Sequence, residues 1–325
     1  EEVFIGDTLA APSNPKALEY LDVDQPTLSM FFRVNDSPMA GKEGDYVTSN
    51  TLKDRLYKEA RNNISIRVEP TESPDAYKVS GRGELQLAVL IENMRREGYE
   101  FAVSKPEVLL KEENGQTLEP IEEVVIDVPG DYSSKVIDNI QQRKGVMQGM
   151  HTEGENHRVI FMVPSRGLIG LRGELLTDTR GTAIMHQQFD HYAPISGSIP
   201  GRKRGALIAL EDGDVTSYAL EGMQDRGIFF VEPGDISYQG MIVGLNNRAD
   251  DLIVNVAKKK NLTNHRASQT ADAIRISKAR TMSLEECLEF LEKDELLEVT
   301  PKNLRLRKMY LDHNDRKREK KKSLV

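Results

Sequence analysis

Residues 64–103, ISIRVEPTESPDAYKVSGRGELQLAVLIENMRREGYEFAV, hold two strand patterns, a helix pattern and a third strand pattern in succession. Apolar and polar residues alternate over 64–68, as in a half-buried strand, and again from 77 after the turn-forming Ser-Pro-Asp at 73–75. An amphipathic helix pattern follows, and Gly98 is placed to end it. This order predicts a compact unit with helices packed on one sheet.

A further strand and helix precede this stretch. Residues 28–34 are apolar enough for a strand, and 48–50 (TSN) offer N-cap oxygens before a helix whose apolar positions recur every four residues. The complete order over 27–104 is therefore β-α-β-β-α-β, the ferredoxin-like split motif.

The same order then repeats after a polar connector. Its predicted elements are a strand at 124–128, a helix capped by Asp131 or Ser133, strands at 146–150 and 159–163, a glycine-containing helix over 168–175, and a strand at 182–192. Two copies in a row predict two ferredoxin-like domains.

From about residue 199 the pattern changes to short strands between Gly- and Asp-rich turns, followed by a helix with a capping box at Ser283 and Glu286. We predict an α+β fold of two ferredoxin-like domains and a β-rich C-terminal domain. The predicted divisions are 1–26 as the tail of something upstream, 27–107, 118–198, and 199–325 with a disordered basic tail.

Composition excludes some classes of protein. The 325 residues carry a net charge of −8, which excludes a uniformly basic nucleic-acid binder but not a locally basic one. A single cysteine, Cys287, excludes a disulfide framework and a multi-cysteine zinc site. The acidic N-terminus begins at Glu1 rather than Met, so we expect a piece of a longer cytoplasmic protein without a signal peptide.

Charge is unevenly distributed near the C-terminus. Residues 256–280 carry seven basic residues and one acid, and 302–322 carry ten basic residues and three acids. The stretch between them, 281–298, holds seven acids and one lysine. Residues 258–268 have little apolar content, so we expect an exposed loop. Its Lys and Arg side chains can reach phosphates, and its Asn and His side chains can reach sugars or bases, so we predict that this loop binds RNA. The alternative is a solvated basic loop without a ligand.

The candidate RNA-contacting residues are Lys258, Lys259, Lys260, Asn264, His265, Arg266, Lys278, Arg280, Arg305, Arg307 and Lys308.

Sites for nucleotides are not supported by the sequence. No Gly-x-x-x-x-Gly-Lys-Ser/Thr run surrounds a phosphate, and the Asp-x-x-Gly at 127–130 is better explained as a strand end leading into a helix cap. The glycines of 167–173 follow a strand and could face a phosphate, but they favour close packing or an RNA contact over a cofactor.

Metal and nucleophile sites are equally weak. His186 and His191 lie five residues apart in one predicted strand, which places them on opposite faces, so zinc is disfavoured. Cys287 lies among leucines of an amphipathic helix, which indicates a buried apolar role.

Several motifs resemble those of translational GTPases. Residues 25–32 (QPTLSMFF), 37–41 (SPMAG) and 81–87 (GRGELQL) resemble domain III of elongation factor G-like proteins, and 118–124 (LEPIEEV) with 145–150 (GVMQGM) resemble the start of domain V. Only a short connector separates these blocks, unlike in elongation factor G, and LepA shares that shortcut.

The run 165–181 (SRGLIGLRGELLTDTRG), continuing to 189–192 (FDHY), and the block 201–308 resemble the BipA (TypA) family. The resemblance covers essentially the whole chain. It implies a parent protein whose GTPase domain, with GTP and Mg²⁺, precedes residue 1, and no catalytic or cofactor site in this part. It also implies that residues 1–26 are the remnant of an upstream β-barrel, domain II of the parent protein.

The resemblance also implies a monomeric cytoplasmic factor that binds the 70S ribosome or large subunit and contacts rRNA and A-site tRNA. In that family such factors support stress adaptation and large-subunit assembly. Residues 258–266 (KKKNLTNHR) correspond to its basic loop. Three alternatives stay open: a LepA-like factor, a regulator that binds an acidic protein, and an enzyme using 127–130 or 167–173.

Overall fold

The computed structural model describes residues 8, 10–17, 26–199, 201–259 and 276–322. The chain divides into two compact units, which are unit 1 (1–35, 40–200 and 299–301) and unit 2 (36–39, 201–298 and 302–325). The fold is mixed α+β, with several sheets in which antiparallel pairing predominates.

The first half of unit 1 contains one sheet and two helices. Its elements are β1 (Leu28–Arg33), α1 (Ser49–Asn62), β2 (Arg67–Pro70), β3 (Ala76–Gly81), α2 (Glu84–Arg96), β4 (Phe101–Ser104) and β5 (Glu107–Val108). The strand order is β4-β1-β3-β2, with β5 also pairing β1. Thr48 caps α1 through its side chain, and Gly98, at φ +94°, follows the end of α2, both as predicted.

The second half of unit 1 repeats the arrangement. Its elements are β6 (Lys111–Glu113), β7 (Gln116–Pro129), α3 (Gly130–Gln142), β8 (Val146–Glu153), β9 (Asn156–Pro164), α4 (Ser165–Leu168), α5 (Leu171–Asp178) and β10 (Ile184–Pro194). The strand order is β10-β7-β9-β8, with β6 also pairing β7. Apolar residues of β7, β9, α3 and α5 form its core, so these helices cover one face of the sheet.

Two local predictions in this half are wrong. Neither Asp131 nor Ser133 caps α3: Pro129 occupies the N-cap, and the Ser133 hydroxyl instead donates to the Gly130 carbonyl at 2.7 Å. The helix predicted over 168–175 is interrupted, because Gly170 adopts φ +73° between α4 and α5.

Unit 2 combines small sheets with short helices. Its elements are β11 (Ala206–Ala209), β12 (Gly213–Asp214), α6 (Ser217–Glu221), a 3-10 turn (Gln224–Arg226), β13 (Gly227–Phe229), β14 (Ile236–Ser237), β15 (Ile242–Asn246), β16 (Leu252–Val254), α7 (Leu284–Phe290), β17 (Glu295–Val299), β18 (Leu304–Lys308) and α8 (His313–Lys322). One sheet has the order β13-β15-β11-β16, β12 pairs β14, and β17 pairs β18. The capping box of α7 is present as predicted.

The basic tail differs from its prediction. It is the helix α8, not a disordered segment, up to Lys322. The predicted barrel remnant, 1–26, lies largely outside the described residues. No helix within the described ranges is both long and apolar enough to span a bilayer.

Candidate functional site

The basic segment 256–280 emerges from the core of unit 2. Lys258 and Lys259 are exposed at its first end, and Lys278 is exposed at its second. Lys260, Asn264, His265 and Arg266 lie outside the described residues. The structure therefore describes the two ends of the segment, 256–259 and 276–280, which we call the first and second stems.

The first stem follows β16 and is fixed by Thr216. The Thr216 amide donates to the Val256 carbonyl at 3.0 Å, and its hydroxyl donates to the Lys258 carbonyl at 2.6 Å. The same hydroxyl accepts from the Ala219 amide at 3.1 Å, as the N-cap of α6. One side chain thus starts a helix and holds the backbone of the first cation.

The second stem is fixed by Gln224. The amide and hydroxyl of Ser277 both donate to Gln224 Oε1, at 2.9 and 3.1 Å. Ile276 packs against the core of unit 2, and the Arg280 amide donates to the Phe229 carbonyl at 2.9 Å. Both stems are therefore held by the short segment 216–226, which contains α6 and the 3-10 turn.

The cations of the stems point into solvent. Lys258, Lys259 and Lys278 are exposed, and Arg280, also exposed, pairs with Glu286 at 2.8 Å. An exposed ion pair contributes at most about 1 kcal/mol, so Arg280 can exchange this partner for a phosphate. These four side chains therefore remain candidates for contact with RNA.

Three predicted RNA contacts are placed differently by the structure. Arg305, Arg307 and Lys308 are only 8%, 1% and 3% exposed. Arg305 pairs with Glu298 at 3.1 Å, and Arg307 pairs with Asp36. All three lie in β18 and have no route to an external phosphate. The prediction for these residues is wrong, because net charge does not reveal which cations lie in a buried strand.

Lys308 contacts three carboxylates inside unit 2. Its Nζ lies 2.7 Å from Asp251, 3.0 Å from Asp294 and 2.9 Å from Glu295. Burial alone would lower the pKa of Lys308, but the surrounding carboxylates raise it above the usual value. The acidic stretch 281–298 thus supplies internal partners to β18, since a buried charge is costly unless it is paired.

The loops considered for nucleotide binding are occupied by protein groups. Arg158 donates to both oxygens of Asp127, at 2.7 and 2.9 Å, and these hydrogen bonds hold the pKa of Asp127 below its usual value. The Gly170 amide, at the start of α5, donates to Glu84 at 3.0 Å. A phosphate at either position would face a carboxylate.

Gly167 serves close packing, one of the interpretations made from the sequence. A Cβ at this position would lie 2.6 Å from the Arg143 carbonyl oxygen, closer than real Cβ atoms approach. The glycine therefore allows α4 to lie directly against the end of α3.

The histidines of β10 also correct a prediction. The strand register shifts between Phe189 and His191, so His186 opposes Val125 and His191 opposes Ile121. These partners are an even number of residues apart on β7, so both histidines lie on one face of the sheet. Four strand positions still separate them by about 13 Å. No group of three possible metal ligands occurs in the described part of the chain.

Cys287 is 3% exposed on α7. Burial is the main cause that raises the pKa of its thiol to about 12, so the thiol stays protonated at neutral pH. This agrees with the buried role predicted from the neighbouring leucines.

Comparison with known proteins gives two family matches that meet at residues 203 and 204, close to the boundary between units 1 and 2 at residues 200 and 201. Residues 204–313 match the family described as the TypA/BipA C-terminal domain, and residues 116–203 match the elongation factor G C-terminus, a ferredoxin-like domain. The chain is homologous to the C-terminal region of BipA. Both matched families are C-terminal domains and not GTPase domains.

Three BipA relatives illustrate the similarity. The large ribosomal subunit assembly factor BipA of Bacillus subtilis is 50% identical over 324 residues, covering 99% of this chain and 53% of that protein. The BipA proteins of Synechocystis (47% identical, 94% of this chain and 51% of that protein) and Salmonella typhimurium (48%, 98% and 53%) are similar. The chain spans about half the length of these BipA relatives.

Sequence reasoning missed the side chains that hold the stems. Thr216 is an N-cap type residue, which is a visible signal, but its second bond to Lys258 joins residues 42 positions apart. Gln224 and Ser277 are separated by 53 positions, and no local pattern relates them.

Proposed function

We propose that this chain is the RNA-contacting region of a BipA-type translation factor that binds the ribosome or its large subunit. Its exposed stem cations contact rRNA and A-site tRNA, while GTP and Mg²⁺ are handled by a GTPase domain of the longer parent protein. The parent is a cytoplasmic, monomeric factor of stress adaptation and large-subunit assembly. Homology to large ribosomal subunit assembly factors supports this proposal.

The finer division of the fold belongs to the same proposal. Residues 27–107 and 118–198 are two ferredoxin-like domains corresponding to domains III and V, and 199–325 is the family-specific C-terminal domain. The shared 4-1-3-2 strand order of the two sheets in unit 1 supports the first part.

One observation carries the functional proposal. The stems of the basic segment are fixed to a single short segment, 216–226, while Lys258, Lys259 and Lys278 extend into solvent. Cationic side chains on a backbone that is already held in place are suited to phosphate binding, because less backbone entropy is lost on contact.

The test is co-sedimentation of this chain with purified large ribosomal subunits across a salt series. Counterion release makes the logarithm of the binding constant fall linearly with the logarithm of salt, by about 0.7–0.9 per phosphate contact. We expect the double variant Lys258→Gln/Lys259→Gln to lower this slope by about 1.4–1.8 and to weaken binding at 0.1 M salt on the order of 10-fold or more.

A matched control removes the same charge elsewhere. Lys53 and Lys58 are exposed on α1, and Lys53→Gln/Lys58→Gln should leave the slope nearly unchanged. Salt-independent binding of the unaltered chain, or equal losses in both double variants, would contradict the proposal.

A further inference from the structure

The C-terminal helix α8 has an unusual composition for a folded element. Residues 313–322 (HNDRKREKKK) contain six basic and two acidic side chains and no aliphatic or aromatic one except the His313 ring. None of its residues is buried. A ten-residue helix is only marginally stable in water by itself. Because α8 buries no residue, packing of an apolar face does not explain why it forms.

Polar contacts join its first turn to the residues immediately before it, 310–312. Asp312 Oδ1 accepts from the amides of Asn314 and Asp315 at 2.7 and 3.2 Å. Arg316 Nη1 donates to the carbonyls of Tyr310 and Leu311, at 2.9 and 2.6 Å.

Leu311 secures this turn to the core. It packs against the core of unit 2, and a Cβ on Gly240 would lie 2.7 Å from its Cα, so the two backbones are in direct contact. The start of α8 is therefore rigidly attached while its last two turns are exposed.

The charges of α8 are separated by helical spacing. Asp315 and Glu319 lie one turn apart, and they pair with Arg318 at 3.1 Å and Lys322 at 2.5 Å. Lys317 and Lys321 also lie one turn apart, roughly on the opposite side, because two residues correspond to about 200° of rotation. Both lysines are exposed, and neither makes an ion pair with any described carboxylate.

The face of α8 that carries Lys317 and Lys321 suits one class of partner better than others. A membrane-surface helix needs an apolar face, and α8 has none. Protein interfaces are depleted in lysine and depend on aromatic or aliphatic anchors, which the face also lacks. Phosphate groups spaced along a nucleic-acid backbone are the ligand that a row of lysines fits without apolar contacts.

Tyr310 adds a second feature. It precedes the helix, is 44% exposed, and its carbonyl is held by Arg316. An exposed aromatic ring can stack on an unpaired base, which RNA offers in loops and ends.

We infer that α8 is a second RNA-binding element, in which Lys317 and Lys321 contact consecutive phosphates of ribosomal RNA independently of the stem cations. This inference rests on the proposed function, since it assumes an RNA partner for unit 2. It assigns binding to a segment that charge alone predicted to be a disordered tail.

The experiment compares Lys317→Gln/Lys321→Gln with the unaltered chain in binding to large ribosomal subunits and to protein-free large-subunit rRNA. With both probes we expect the salt slope to fall by about 1.4–1.8 and binding at 0.1 M salt to weaken on the order of 10-fold or more. Lys317→Arg/Lys321→Arg should restore binding, and the helical circular dichroism of all variants should be equal. The α1 double variant Lys53→Gln/Lys58→Gln again serves as the charge-matched control.

The outcomes separate this inference from the proposed function. An unchanged slope for the α8 variant together with a reduced slope for Lys258→Gln/Lys259→Gln overturns the role of α8 and leaves the proposed function standing. Absence of salt-dependent binding by the unaltered chain overturns both. A loss seen with large subunits but not with protein-free rRNA assigns α8 to a ribosomal protein and overturns the inference.

Discussion

At the scale of single residues, the buried carboxylate of Glu298 shows how unit 2 uses its charges. Glu298 is fully buried and accepts hydrogen bonds from Arg305 at 3.1 Å, Ser37 Oγ at 3.1 Å and Tyr238 Oη at 2.8 Å. Burial is the main cause that raises the pKa of Tyr238, and the neighbouring Glu298 charge raises it further, so the phenol remains a donor. Removing a partner would leave a desolvated charge.

We therefore expect Arg305→Ala to lower the free energy of unfolding by about 3–5 kcal/mol, the usual cost of an uncompensated buried charge. Arg280→Ala breaks an exposed pair and should cost less than about 1 kcal/mol. Urea unfolding followed by circular dichroism measures both. Similar losses in the two variants would show that the Arg305 pair is not a buried structural contact.

At the scale of elements, the packing of α4 against the end of α3 depends on Gly167. A methyl group there would meet the Arg143 carbonyl, which is backbone and cannot rotate away. The Arg143 guanidinium also donates to the Gly167 carbonyl at 2.9 Å, so the two segments are fixed in position.

Gly167→Ala should destabilise the chain by about 1–3 kcal/mol through overpacking. Gly149→Ala is the matched comparison in β8, where the nearest atom to a new Cβ is His151 Nε2 at 3.9 Å, and we expect a change within about 0.5 kcal/mol. Thermal unfolding of the pair distinguishes them, and equal midpoints would refute the packing role.

Most elements of the fold could be predicted because their signals are local. Alternating apolar residues mark β3, Thr48 caps α1, Gly98 ends α2, and Ser283 with Glu286 forms the capping box of α7. Each depends on residues within a few positions of one another. The strand predicted over 64–68 is displaced, because residues 64–65 form a turn and β2 begins at Arg67.

The predictions that are wrong depend on contacts between residues that are far apart in the sequence. The two histidines of β10 share a face because the register shifts at residue 190, and Gly170 divides a helix by adopting a positive φ. The RNA-binding prediction for Arg305, Arg307 and Lys308 is wrong because each of them pairs with a carboxylate from another segment of the chain. Pairing register and buried ion pairs are tertiary properties, which composition and periodicity do not contain.

At the scale of the whole molecule, the formal charge of −8 hides two different uses of basic residues. Those of β18 are neutralised inside unit 2, whereas those of the stems and α8 are presented to solvent. The RNA-binding surface proposed for the candidate site and α8 is therefore smaller than the sequence indicates, but its cations are free of internal competition at Lys258, Lys317 and Lys321.

Carboxylates also determine how the whole chain responds to pH. Hydrogen bonds from arginines lower the pKa of Asp127 and, mainly through Arg55, that of Glu97. The unfolded chain then binds protons at a higher pH than the folded chain, so this stability is present above about pH 4 and is lost as the pH falls further. Glu122, whose pKa is raised mainly by burial, acts in the opposite direction.

We expect the free energy of unfolding to decrease between about pH 5 and pH 3, and Asp127→Asn to make this decrease shallower. Urea unfolding at intervals across pH 3–7 measures it. If the variant and the unaltered chain show the same slope, the Asp127–Arg158 pair does not contribute to acid sensitivity.

The anchoring of both stems on 216–226 has a practical consequence for protein engineering. Because Lys258 and Ser277 are both held by this short segment, a Gly-Ser linker in place of 260–275 could join the two stems, and the entropic cost of closing such a loop depends only weakly on its length. Different peptide sequences could then be inserted between residues 259 and 276 while the rest of unit 2 is kept, which gives a series of proteins that differ only in the inserted sequence.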